Sequence, residues 1–189
     1  MSFSPPESTL TAFAGFTRIA TGPRAEVLAQ LRSRADAAPP FVFDDSTGER
    51  LDLDLRPDGA APAAEGAATD EQATRGVGRP KLGVVAREVT LLPRHWDWLS
   101  RQPGGASVAL RRLVDEARRV HADRDAQRAS REAAYRVMSD IAGNLPGFED
   151  AARALFAGER ARFESLVEPW PVDLRAYLHQ LAAAAWSAA

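Results

Sequence analysis

Basic side chains are concentrated in one stretch of this 189-residue chain. Residues 75–131 hold 13 Lys and Arg against 6 Asp and Glu, a local charge of +7. Residues 1–56 hold 6 Arg and 8 acids, residues 57–74 hold 4 acids and no base, and residues 132–189 hold 5 bases and 8 acids. The overall net charge of −2 therefore hides a positive middle between acidic flanks. Guanidinium and ammonium groups gathered in this way bind anions, and nucleic-acid phosphates above all. Arg79 and Lys81 sit on a proline-bearing arm, Arg94 opens a short helix, and Arg111 and Arg112 lie on a longer one. The same pattern suits a long solvated helix whose arginines pair with acids one turn away, and the composition fits both readings. Lysine occurs once against 23 arginines. The preference for arginine runs through the whole chain, so position rather than residue type carries the signal.

Other chemistries find little support. The absence of cysteine excludes disulfides, thiolate nucleophiles and Cys-type zinc sites. The histidines are His95, His121 and His179, in separate segments without ligand-like spacing. There is no phosphate-binding loop of the Walker type, no Gly-x-Ser-x-Gly and no dinucleotide fingerprint. Asp44, Asp45, Asp52 and Asp54 are hard-cation donors on a hairpin. The following bidentate Glu of an EF-hand is missing, and acids on the solvent face of a strand are ordinary. A non-enzymatic protein with no catalytic residues, metal, cofactor or small-molecule ligand is expected. No apolar run approaches the roughly 20 residues that span a bilayer, and the N-terminus lacks the basic and apolar regions of a signal peptide. These features lead us to expect a cytoplasmic protein with no membrane partner.

The elements that position the basic stretch follow from periodicity. Thr11–Ala20 reads as a strand, Pro23 to about Ala37 as a helix, Phe41–Phe43 as a strand, and Asp44–Gly48 as a hairpin turn. Arg50–Leu55 alternates strictly, with Leu51, Leu53 and Leu55 on one face. Such a unit is marginal alone and must pair with a second copy or lean on the rest of the chain. Residues 57–74, rich in Ala, Gly and Pro, read as a flexible linker. Arg87–Leu92 reads as a strand and Pro93–Gln102 as a short helix with Leu92, Trp96 and Leu99 on one face. A glycine turn then leads to a helix capped by Ser107. His121–Glu132 is either exposed helix or a break. Beyond it, apolar residues at helical spacing from Ala133 to Trp186 predict a compact bundle.

Gly78-Arg79-Pro80, flanked by bases, resembles an AT-hook core, whose arginine enters a narrow minor groove. The order strand, helix, glycine turn, Ser-capped helix resembles the ribbon-helix-helix family over about 35 residues. That resemblance implies a homodimer whose two Arg87–Leu92 strands form an antiparallel ribbon in the major groove. Arg87 and Thr90 would then reach base edges, and the start of the Ser107 helix would bind a phosphate. A plain helical hairpin packed on the bundle accounts for Trp96 and Trp98 equally well.

Nearly the whole chain also resembles a bacterial family of unknown function, domain of unknown function 2239. The carrying features are Phe43-Asp44-Asp45 with Thr47-Gly48, Asp52-Leu53-Asp54-Leu55, and the run from Gly78 to Leu99. Gly104-Gly105-Ala106-Ser107, Leu110-Arg111-Arg112-Leu113-Val114 and Leu145-Pro146-Gly147-Phe148-Glu149 complete them. This family implies no activity.

The expected fold is α+β and mostly α. Residues 1–56 form a small β-α-β-β unit, 57–78 a linker, 79–120 a ribbon-helix-helix-like module and 121–189 a helical bundle. The expected function is DNA binding as a dimeric transcriptional regulator through Arg79, Lys81, Arg87, Thr90, Arg94, Ser107, Arg111 and Arg112. The alternative is a non-catalytic protein-interaction or scaffold module.

Overall fold

A computed structural model describes residues 9–34, 39–55, 85 and 87–186. The fold is α+β, with a small antiparallel sheet near the N-terminus and helices through the C-terminal part. Strands β1 (Thr9–Ala14), β2 (Thr17–Pro23), β3 (Phe41–Asp44) and β4 (Arg50–Leu51) lie in the order β2-β1-β3-β4, with helix α1 (Arg24–Arg32) between β2 and β3. Helices α2 (Pro93–Ser100), α3 (Gly105–Ile141), α4 (Phe148–Ala157), α5 (Arg160–Val167) and α6 (Val172–Leu181) follow.

The expected single strand over Thr11–Ala20 is instead a hairpin, so the unit is ββαββ rather than β-α-β-β. Ala14 faces Thr17 across a two-residue turn. Its first residue, Gly15, has a φ of 58°, which glycine adopts without the clash a Cβ would bring. The turn leaves Phe13 in the core and Phe16 exposed. The alternation of Leu51, Leu53 and Leu55 is as expected: Leu53 is buried, its two neighbours on that face are half-buried, and Asp52 and Asp54 are exposed. The strand ladder itself stops at Leu51.

The chain forms two compact units, residues 1–59 with 121–189 and residues 60–120, and the division falls within α3. In the first unit the sheet is covered on both faces. Leu10, Ala12 and Val42 pack with Val27 and Leu31 of α1. Phe13 and Phe43 point the other way, into a core with Val137, Met138, Leu155, Phe163, Leu174 and Tyr177. The period-two alternation of a strand thus serves two apolar layers, α1 and the helical bundle. The N-terminal unit leans on the rest of its own chain.

The β3–β4 turn fastens the sheet to the bundle. Asp44 Oδ1 accepts hydrogen bonds from the Ser46 and Thr47 amides at 2.8 and 3.1 Å, which bends the chain into a compact Asx turn. Gly48, at a φ of 66°, then lies against α3. A Cβ there would stand 2.2 Å from the Ala133 carbonyl oxygen. Arg136 Nη1 donates to the Thr47 carbonyl at 2.6 Å. The buried Tyr177 of α6 donates its hydroxyl to Asp45 Oδ1 at 2.8 Å. At the outer edge the Arg18 amide donates to Asp173 at 3.0 Å. The far end of the bundle is tied similarly, by Ser130 to the Leu181 carbonyl and by Arg131 to the Ala185 carbonyl.

Within the second unit α2 begins at Pro93, whose missing N–H costs nothing at a first helical position. It ends at Ser100, two residues short of the expected Gln102. Leu99 is buried, whereas Leu92 and Trp96 are about half exposed, so the expected three-residue face is not covered. Gly104 and Gly105 take positive φ, and α3 starts at Gly105. Ser107 therefore lies inside the first turn and is not the cap. The open question at 121–132 is settled in favour of helix: α3 is continuous through it, with Ala122, Ala126 and Ala129 supplying propensity and no Gly or Pro to interrupt.

Two variants probe the fastening. Gly48→Ala should destabilise the protein by about 3 kcal/mol, from a left-handed alanine plus steric conflict with the α3 backbone, read as a lowered urea midpoint. The Tyr177 hydroxyl is pushed above its usual range by burial first, then by the Asp45 hydrogen bond and charge. The unfolded phenol ionises near 10.0 and the folded one higher, so the unfolded state releases its proton first. Stability should fall as pH rises above that value, and Tyr177→Phe should flatten this fall while costing about 2 kcal/mol at neutral pH.

Candidate nucleic-acid interface

The described residues of the second unit carry their cations outward. Arg87, Thr90, Arg94, Ser107, Arg111 and Arg112 are all exposed. Arg79 and Lys81 lie outside the described residues. Arg87–Leu92 forms no ladder within the chain, so its expected strand is not present as such.

Helix α3 places Arg111, Arg112, Arg118 and Arg119 on one side, because residues seven apart share a face. Leu110, Leu113, Ala117 and Val120 occupy the other side. Asp115 follows Arg111 by four residues and Glu116 follows Arg112 by four, the spacing at which helical ion pairs form. Even so, among the described residues none of Arg87, Arg94, Arg111, Arg112, Arg118 and Arg119 lies within 4.0 Å of a carboxylate. The Arg111 Nε donates to the Ser107 carbonyl at 3.2 Å, closing on its own helix.

Among the described residues most arginines of the bundle are held differently, although Arg124 is exposed without a carboxylate partner and Arg131 donates to backbone carbonyls. Arg128 pairs with Asp125, Arg153 with Asp150, Arg160 with Glu164 and Arg175 with Glu168, each within 2.9 Å. Arg162 pairs with Glu159 at 3.0 Å, and Arg136 with Glu132 at 3.8 Å. The strong Asp150–Arg153 contact holds the carboxyl below and the guanidinium above their ordinary ranges, by hydrogen bond first and charge second. The two sets share a residue type and a helical setting but differ in whether their charge is neutralised locally. Sequence reasoning located the basic segment but missed Arg118 and Arg119, which its own seven-residue spacing places beside Arg111 and Arg112.

Two of the aspartates on the hairpin have structural roles. Asp45 receives Tyr177 and Asp44 shapes its turn. His95 and His121 are exposed, and His179 meets the Phe163 ring edge-on at 6.4 Å. Among the described residues no cluster of three or more His, Asp or Glu side chains could hold a metal ion. A groove of about 460 Å³ beside β4 offers Arg50 and Asp52 among prolines and aliphatic residues. Among the described residues no helix is long and apolar enough to cross a membrane.

No curated protein and no solved structure matches the chain. A family profile does match, over residues 9–182, which takes in the sheet, the second unit and the bundle together. The chain belongs to DUF2239, a family of uncharacterised proteins conserved in bacteria.

Proposed function

We propose that the protein is a cytoplasmic, non-catalytic DNA-binding protein that acts as a dimeric transcriptional regulator of ribbon-helix-helix type. The observation that carries this reading is the set of exposed arginines at 87, 94, 111, 112, 118 and 119 with no carboxylate partner among the described residues. Cations left to solvent on one module are disposed to release condensed counterions from a phosphate backbone. In the dimer the Arg87–Leu92 segments of two copies lie side by side. Arg87 and Thr90 then face bases, while Arg94, Ser107, Arg111 and Arg112 hold phosphates, with Arg79 and Lys81 on the preceding arm.

A second reading rests on a different observation. Trp96 and Trp98 are 42% and 48% exposed, and large exposed aromatic side chains suit a protein partner. A scaffold module would hold that partner and leave DNA alone.

Fluorescence polarisation with mixed genomic duplexes separates the two. Binding at low salt is expected, with affinity falling roughly 10³-fold or more between about 50 and 200 mM salt. The double variant Arg111→Glu/Arg112→Glu should keep its thermal unfolding curve, since both side chains are exposed, and should lose at least about tenfold in affinity with a shallower salt slope. No binding at micromolar protein and low salt would sink the DNA reading and favour the scaffold.

A further inference from the structure

We propose that a second copy of this chain covers the apolar side of the first half of α3, with the two helices parallel and in register. Leu110, Leu113, Ala117 and Val120 recur at intervals of three, four and three residues, the spacing of a two-helix seam. Among the described residues none of the four is buried: Leu110 is half-buried, Ala117 is exposed, Leu113 is 39% exposed and Val120 is 70% exposed. The chain leaves an amphipathic helix with its apolar side in water, which the hydrophobic effect opposes.

The distribution of charge selects the occupant and the direction. Assigning Leu110 and Ala117 to the a position and Leu113 and Val120 to d puts Arg111 and Arg118 at b and Arg112 and Arg119 at c, away from the seam. Two copies of a strongly basic module can therefore meet here without opposing their arginines. Glu116 and Asp123 fall at g, and His121 and Arg128 fall at e. In a parallel pair each g residue faces the e residue of the next heptad on the partner, so Glu116 meets His121 of the partner subunit, and Asp123 meets Arg128 of the partner subunit, whose 2.9 Å contact with Asp125 in its own chain the pairing would replace or share. An antiparallel pair instead brings the g positions together and sets Glu116 and Asp123 among like charges. The small Ala117 lets the backbones approach, and the seam ends where Arg124 and Gln127 take the next a and d positions.

This interface uses α3 alone and stands whether or not the protein binds DNA. It is also distinct from a ribbon through residues 87–92, which a cysteine at Thr90 would report. The chain has no cysteine, so single-cysteine variants of the full-length protein read the seam directly. Val120→Cys should form an intermolecular disulfide at least about tenfold faster than Arg119→Cys, which lies on the outward side, because pairing raises the local thiol concentration. Val120 is exposed in the single chain, so the substitution leaves the fold in place; circular dichroism checks this. Equal rates for the two variants would overturn the proposal. A covalent dimer from Val114→Cys but not from Val120→Cys would overturn the parallel register, because it requires antiparallel helices.

Discussion

The contact of Gly48 with Ala133 is the constraint on which the first unit depends. It is a backbone-to-backbone approach, so any side chain at that turn position would force the α3 backbone to shift. It fixes the depth at which the sheet seats on α3, and the hydrogen bonds of Thr47 and Asp45 to Arg136 and Tyr177 fix the direction. With the sheet seated, Phe13 and Phe43 reach the bundle core, while Leu10, Ala12 and Val42 face α1. A ββαββ unit that would be marginal alone thus becomes one layer of a larger domain. Residues 9–55 and 121–186 contribute to that domain, although the whole second unit intervenes between them in the chain.

Within this arrangement the second unit carries little core of its own. Leu99 and Ala109 are the buried residues among those described there, whereas the bundle buries a dozen large side chains with the sheet. A segment that spends so few residues on burial presents most of its surface outward. What it presents is divided by helical geometry, with arginines on one side of α3 and aliphatic residues on the other. The proposed DNA binding would use the first side and the proposed self-pairing the second, so the two proposals do not compete for surface on α3.

The legible parts of this chain were those determined locally. The hairpin turn at Asp44–Gly48, the alternation through Leu55 and the helix breaks at Gly158 and Trp170-Pro171 could all be read from periodicity and turn residues. Gly15-Phe16 carried a readable signal too, a Gly-x pair inside a β-prone run, but the apolar content of Thr11–Ala20 concealed it. Burial on both faces of β1 removed the polar alternation that would have marked two short strands. The role of Gly48 could not be read, because its contact lies on Ala133, far along the chain. The same holds for Tyr177, recognisable as a core aromatic but not as the donor to Asp45. Of the candidate interface, the position of the basic charge was legible. Its lack of carboxylate partners was not, because Asp115 and Glu116 stand at pairing distance in sequence and only the coordinates show that the pairs are not made.

In the proposed function the unneutralised arginines of the second unit, and not the paired ones of the bundle, meet DNA. Hydrogen–deuterium exchange of the full-length protein with and without duplex DNA at low salt tests it most directly. Slowed exchange confined to peptides covering residues 87–119 is expected, with peptides from 133–181 unchanged. Protection centred on the bundle, or no change anywhere at saturating DNA, would contradict it.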